Sequence, residues 1–122
     1  MMDGNTLTEI LQPPAELLTA VNLLDNLNES IHQKTRLAIL STLVMLGDVD
    51  FRLLKETTGL SDGNLSTHLS HLESRGLVTI KKEFKGKRPH TTVSLTDDGR
   101  EEFKQYIVSL EKIIKAAAGE LA

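Results

Sequence analysis

Residues 50–78 read DFRLLKETTGLSDGNLSTHLSHLESRGLV, and this stretch decides the fold. Asp50 is a good N-cap acceptor for a helix that turns Leu53 and Leu54 inward before Thr58 and Gly59 stop it. Ser61 caps a second helix, with Asp62 in the first turn, where the helix dipole favours a carboxylate. Leu65, Leu69 and Leu72 follow at spacings of four and three, one narrow apolar stripe. Arg75 suits the negative end of that helix and Gly76 its left-handed cap.

The opposite face of the second helix falls on Gly63, Thr67, Ser70 and Ser74, with Asn64, Ser66 and His71 on its flanks. A solvated helix face ordinarily carries Glu and Lys. Here the groups are small, neutral and able to hydrogen-bond. Small side chains let a helix sit deep in a groove, and Asn, Ser, Thr and His can each meet a base edge or a phosphate. The plain alternative is a serine-rich exposed helix without a role. The composition favours a helix that reads duplex DNA.

Charge supports this once its distribution is considered. The 122-residue chain has a net charge of −3. Residues 1–50 hold two basic and seven acidic side chains, residues 51–90 eight and four, and residues 91–122 four and six. The positive charge therefore sits on the helix pair and the segment just after it, where a focused phosphate contact survives an acidic remainder. Size and composition fit one globular domain, with 39% hydrophobic and 25% charged residues. No 18-residue apolar run and no signal-peptide pattern occur, so a cytoplasmic location is expected. The absence of cysteine excludes disulfides, thiol nucleophiles and thiolate metal sites. The only aromatic residues are Phe51, Phe84, Phe103 and Tyr106, too few for a base-stacking platform for single strands.

The flanks complete the order of elements. Residues 1–12 read as a mobile tail, and Pro13 and Pro14 mark the entry to a helix carrying Leu17, Val21 and Leu24. From Ser30 to Leu46 a helix apolar on most of its circumference is expected, stopped by Gly47, with Val49 available for a short strand. After the second helix the period changes to two: Val78, Ile80 and Lys82 form one set, and Thr91, Val93 and Leu95 another. Between them lies KKEFKGKRPH, residues 81–90, with five basic residues, one acid, and Gly86 for the turn. Such a basic hairpin beside a helix-turn-helix, carrying Lys82, Lys85, Lys87 and Arg88, suits phosphates or a minor groove. Thr96 then caps a last helix with Asp97 and Asp98 in its first turn. Phe103, Ile107, Leu110, Ile114, Ala117 and Leu121 repeat along it at four and three, a heptad seam. That seam and the one through Leu17, Val21 and Leu24 are candidates for a shared homodimer interface. The expected architecture is mostly α with a small β-hairpin: a single domain over 13–122, with the helix pair at 50–75, the hairpin at 77–96 and the last helix at 96–120.

This order resembles the winged helix-turn-helix transcriptional regulators related to the MarR, ArsR and PadR families, and most of all their compact winged-helix DNA-binding domain subgroup. The residues that carry the resemblance are TRLAIL at 35–40, LSDGNLSTHLSHLESRGLV at 60–78 and KKEFKGKRPHTTVSLTDDGR at 81–100. It spans about residues 30–115. It implies a homodimer whose recognition helix runs from Ser61 to Ser74 and whose wing centres on Gly86. It would place Ser61, Gly63, Asn64, Thr67 and His71 at the major groove, and Lys85, Lys87 and Arg88 at the backbone or minor groove.

Departures from those families restrict the reading. Metal-sensing relatives use cysteine pairs, or Asp and His pairs on the last helix, and this chain has no cysteine and no His after His90. His68 and His71 lie three apart, yet no further ligands accompany them, so neither metal nor cofactor is expected. Nothing in the sequence identifies a small-molecule effector. Ser66, His68, Ser70, His71 and Asp62 hold the letters of a hydrolase triad on a single helix, and no catalytic loop motif accompanies them, so the chain is not expected to be an enzyme. The expected partners are double-stranded DNA with a pseudo-palindromic operator and a second copy of the chain. The rival is a winged helix used for protein contact with no specific DNA target.

Overall fold

A computed structural model describes residues 24, 25 and 27–122. The tail expected over 1–12, and Leu17 and Val21 with their helix, lie outside the described residues. Contacts divide the chain into two units: residues 28–107, and residues 1–27 with 108–122.

In the larger unit the elements are α1 (Lys34–Leu46), β1 (Val49–Asp50), α2 (Phe51–Thr58), α3 (Asp62–Ser74), β2 (Val78–Lys85), β3 (Arg88–Leu95) and the first part of α4 (Asp97–Leu121). Helix α1 begins four residues later than the apolar run suggests. The Gln33 Oε1 accepts the Arg36 N–H at 2.8 Å and so caps the helix there. The Arg36 side chain donates to the Ser30 carbonyl at 2.6 Å and to that of Glu29 at 3.3 Å, holding those residues in turns. Ile39, Leu40 and Leu43 are buried, but Val44, Met45 and Leu46 in the last turn are exposed, so burial does not extend round the whole helix.

Helices α2 and α3 start and stop at the expected caps. Asp50 Oδ1 accepts the Leu53 N–H at 2.7 Å, and Gly59 closes α2 in the left-handed region at φ 71°. Leu54 is fully buried, whereas Leu53 is 40% exposed, because consecutive helical residues point about 100° apart and one face meets the core. On α3, Leu65, Leu69 and Leu72 are all buried to 1% exposure or less. Full burial of such a side chain stabilises by about 1.5–3 kcal/mol, which fixes the rotation of α3 about its axis. At its end the Gly76 N–H donates to the Glu73 carbonyl and the Leu77 N–H to the Leu72 carbonyl, both at 3.0 Å. This is the paired closure of a Schellman cap, with Leu72 and Leu77 both buried beneath it.

The hairpin is part of a three-stranded antiparallel sheet ordered β1–β3–β2. Val49 does form the short strand, pairing with Val93, while Asp50 pairs with Thr92. From the Lys82–Thr91 pair outward, β2 and β3 pair only with each other among the described residues. Thr96 joins the hairpin to α4: its Oγ1 accepts the Gly99 N–H at 2.8 Å and donates to the Gly76 carbonyl at 2.6 Å. Gly99 lies so close to this corner that a Cβ there would run into the Leu77 carbonyl. Phe103 and Tyr106 are buried on the same helix, their ring centroids 6.2 Å apart. The Tyr106 hydroxyl lies 2.8 Å from His32 Nδ1, and burial raises the phenol's pKa so that it keeps its proton. Phe103, expected to begin a seam shared between copies, is thus an internal side chain.

The second unit contributes α4 from Val108 onward. Ile114 and Leu121 there are 57% and 87% exposed, Ala117 is exposed and Leu110 half-buried. Among the described residues no helix is long and apolar enough to cross a membrane.

Candidate nucleic-acid interface

With the leucines of α3 committed to the core, its other face must point outward. Ser61, Gly63, Asn64, Ser66, Thr67, Ser70 and Ser74 are all exposed. Several are partly occupied locally. The Ser61 Oγ accepts the Asn64 N–H at 3.2 Å as the helix cap, and the Thr67 hydroxyl donates to the Gly63 carbonyl at 2.9 Å. Each of those hydroxyl oxygens keeps a further lone pair for an outside donor. Gly63 has a negative φ and open space where a Cβ would stand. Neither backbone conformation nor internal packing requires a glycine at this second position of the helix.

Two residues on this helix have partners elsewhere in the fold that the sequence did not reveal. His71 is half-buried, with its Nε2 3.1 Å from the Ser30 Oγ. Its pKa is lowered by burial first, then by Arg36, Arg75 and His68, and that of His68 by burial and Arg36. Both shifts favour the neutral, hydrogen-bonding form of the ring over the cation. Asp62 does not stand alone at the helix start. Its carboxylate pairs with the Lys55 ammonium of α2 at 2.9 Å.

The hairpin turns through Gly86 and Lys87, with Lys85 opposite Arg88. Only Gly86 has positive φ, 66°, the type II′ pattern that matches the right-handed strand twist. Lys82, Lys85, Lys87 and Arg88 are exposed. The ion pairs among the described residues are Lys55–Asp62, Lys81–Glu83 and Lys115–Glu111, so none of these four cations has an ion-pair partner there. The one wing carboxylate, Glu83, is held by Lys81 at 2.7 Å, and that hydrogen bond lowers its pKa.

Register decides which wing residues meet the recognition helix. Val78, Ile80, Lys82 and Phe84 share one face with Pro89, Thr91, Val93 and Leu95, since directly opposed residues project to the same side. A cleft of about 290 Å³ joins that face to α3, lined by Phe51, Ser66, Leu69, Ser70, Ile80, Lys82 and Thr91. Lys82 therefore stands beside Ser66 and Ser70, although at least 12 positions separate them in the chain. A second cleft, of about 460 Å³, brings Arg52 of α2 to Lys85, Arg88 and His90, with Asp50, Phe51, Pro89 and Thr91 completing it. Arg52 was not identified from the sequence. Its only local signal is a basic side chain two residues after a cap, and its nearness to the wing comes from the β1–β3 pairing.

Three helices, a recognition helix with its stripe buried and a cationic two-stranded hairpin define a winged helix-turn-helix. The chain belongs to the winged helix DNA-binding domain family, which matches residues 35–114. It is 40% identical over 80 residues to an uncharacterized protein of Methanocaldococcus jannaschii, across 66% of this chain and 87% of the other. A transcriptional regulator homologue from Pyrococcus horikoshii superposes with a TM-score of 0.71 at 30% identity, over 85% of this chain and 98% of the other. A Bacillus cereus protein classed as a MarR-like transcription regulator gives 0.61 at 25% identity, over 84% and 76%. The fold and family are those of DNA-binding transcriptional regulators of MarR type, not of enzymes.

Proposed function

We propose that the protein is a cytoplasmic transcriptional regulator that binds a pseudo-palindromic double-stranded operator as a homodimer. The observation that carries this reading is the meeting of two surfaces at Lys82: the small neutral face of α3 and a hairpin of exposed cations. In this reading Asn64, Ser66, Thr67 and Ser70 meet base edges in the major groove, Ser61 and His71 contribute hydrogen bonds at its rim, and Gly63 allows the helix to approach closely. Lys82, Lys85, Lys87 and Arg88 bind phosphates or enter the adjoining minor groove, joined by Arg52 from α2. Gly63 supports it independently, because an outside surface supplies the reason for small size that internal packing does not.

The apolar residues of α4 support a second copy as partner. Ile107, Ile114 and Leu121 are exposed at heptad spacing, as is Leu24 in the chain before the winged unit. In a two-fold dimer the recognition helices enter successive major grooves about 34–36 Å apart, which is why the operator is a pseudo-palindrome.

Selection of bound duplexes from a random pool, at low and then raised salt, tests the proposal. Enrichment of inverted half-sites about 10 base pairs apart, with affinity falling steeply in salt, is the expected result. A weak salt slope with no enriched sequence would overturn it in favour of a protein-docking module.

A further inference from the structure

We infer that Phe84 is a minor-groove wedge, an apolar side chain at the wing that enters between base pairs and bends the bound duplex. The inference rests on the DNA-binding reading above and adds a residue and a mode of action to it.

Phe84 is 75% exposed, an unusual position for one of the three phenylalanines of the chain. Pro89 lies directly across the hairpin and does not cover it. Its face is the one that, two residues earlier, presents Lys82 to Ser66 and Ser70. Two residues of strand advance about 6–7 Å, so Phe84 continues the same surface beyond the recognition helix. There no third strand among the described residues pairs with β2 or β3, which leaves the ribbon open to enter a groove.

The surrounding charge selects the occupant. Lys82 shares the face of Phe84, Lys87 stands at the turn beyond it, and Lys85 and Arg88 border it along the strands while projecting to the other face with Glu83 and Lys81. Among the described residues Lys82, Lys85, Lys87 and Arg88 have no ion-pair partner. A second copy of the wing would bring like charges together at this point. A polyanion with apolar steps between its stacked bases matches both the cations of the hairpin tip and the exposed aromatic ring. Side chains such as Phe partially unstack a base step from the minor groove and kink the duplex by roughly 20–90°. Pyrimidine–purine steps open most easily, so the wing would select a TA or CA/TG step by deformability, without a hydrogen bond to its bases.

The probe is a duplex enriched by the wild-type protein, resynthesised with 2-aminopurine at each adenine in turn and with a dye pair at its ends. Wild-type protein is expected to raise 2-aminopurine fluorescence several-fold at one symmetric pair of steps and to shorten the end-to-end distance. Phe84→Ala should bind several-fold more weakly with an unchanged salt slope, and lose both signals. Phe84→Leu, which keeps an apolar wedge, should retain them. Matching thermal melts show that the variants fold, as expected for an exposed position. If the wild-type protein binds without unstacking or bending, or if Phe84→Ala keeps both signals, the wedge is overturned while operator binding stands. If no duplex is enriched at all, both the wedge and the DNA-binding reading fall.

Discussion

The Lys55 ammonium and the Asp62 carboxylate lie 2.9 Å apart, tying the first helix of the pair to the first turn of the recognition helix. An acid at the start of a helix that faces phosphates would repel them, and the pairing offsets this. Both side chains are substantially exposed, so the pair contributes little to stability, less than about 1 kcal/mol. Lys55→Ala is expected to leave the urea midpoint nearly unchanged but to weaken duplex binding. Adding Asp62→Asn should restore much of the loss. Fluorescence anisotropy on the single and double variants measures this, and equal losses in both would show that Lys55 contacts DNA itself.

The two halves of the surface should separate under mutation. Arg88→Ala is expected to weaken binding to every sequence and to lower the salt slope by about one unit. Asn64→Ala should instead narrow the gap between operator and random duplex, by about 1–3 kcal/mol for a good base contact. Titrations of both duplexes at several salt concentrations distinguish the outcomes. An undiminished gap in the Asn64 variant removes that residue from base reading.

Gly99→Ala should destabilise the fold by about 1–3 kcal/mol or more, since the added methyl meets the Leu77 carbonyl and backbone must move. Gly119 in the same helix is the internal control. Open space surrounds its Cβ position, so Gly119→Ala is expected to be neutral or stabilising by roughly 0.5–1 kcal/mol. Chemical denaturation of the two variants makes the comparison.

Stability should fall on mild acidification. His68 and His71 have folded-state pKa values below the ordinary 6.5, so the unfolded chain binds protons more strongly than the folded one. Their contribution is complete above about pH 7 and is lost as pH drops through 6.5 toward the lowered folded values. Melting temperature should therefore be level at neutral pH and decline toward pH 5. His71→Gln, which keeps a hydrogen-bonding group near Ser30, should flatten the decline. A decline unchanged in His68→Gln and His71→Gln alike would assign it to other groups.

Ile114→Glu is expected to shift the protein toward the monomer and to weaken operator binding with no loss of folded structure, because 57% of Ile114 is already exposed. Sedimentation equilibrium reads the first effect. A dimer of unchanged strength would move the interface away from α4.

Features legible in the sequence are those governed by near neighbours in the chain. The caps at Asp50, Ser61 and Thr96 rest on a side chain and an amide three residues on. The buried stripe of α3 follows from helical spacing, and the II′ turn from Gly86, the only turn residue with positive φ. Where expectation and structure part, the cause is equally local. Leu53 is apolar enough for the core, and Phe103 continues a heptad, but a helix of this unit has one inner face, which Leu54 and the Phe103–Tyr106 pair occupy.

Chain-local rules determined the elements, their ends and the sign of charge on the hairpin, because a hydrogen bond or a helical period spans only a few residues. Tertiary structure alone decided that Lys82 would stand beside Ser66 and Ser70, that Arg52 would join the wing cations, that Asp62 would find Lys55 and that Gly99 could carry no side chain. Those relationships depend on how buried faces seat against one another. A shift of one residue in the β1–β3 register, or a small rotation of α3, would undo them while leaving every local signal in the sequence intact.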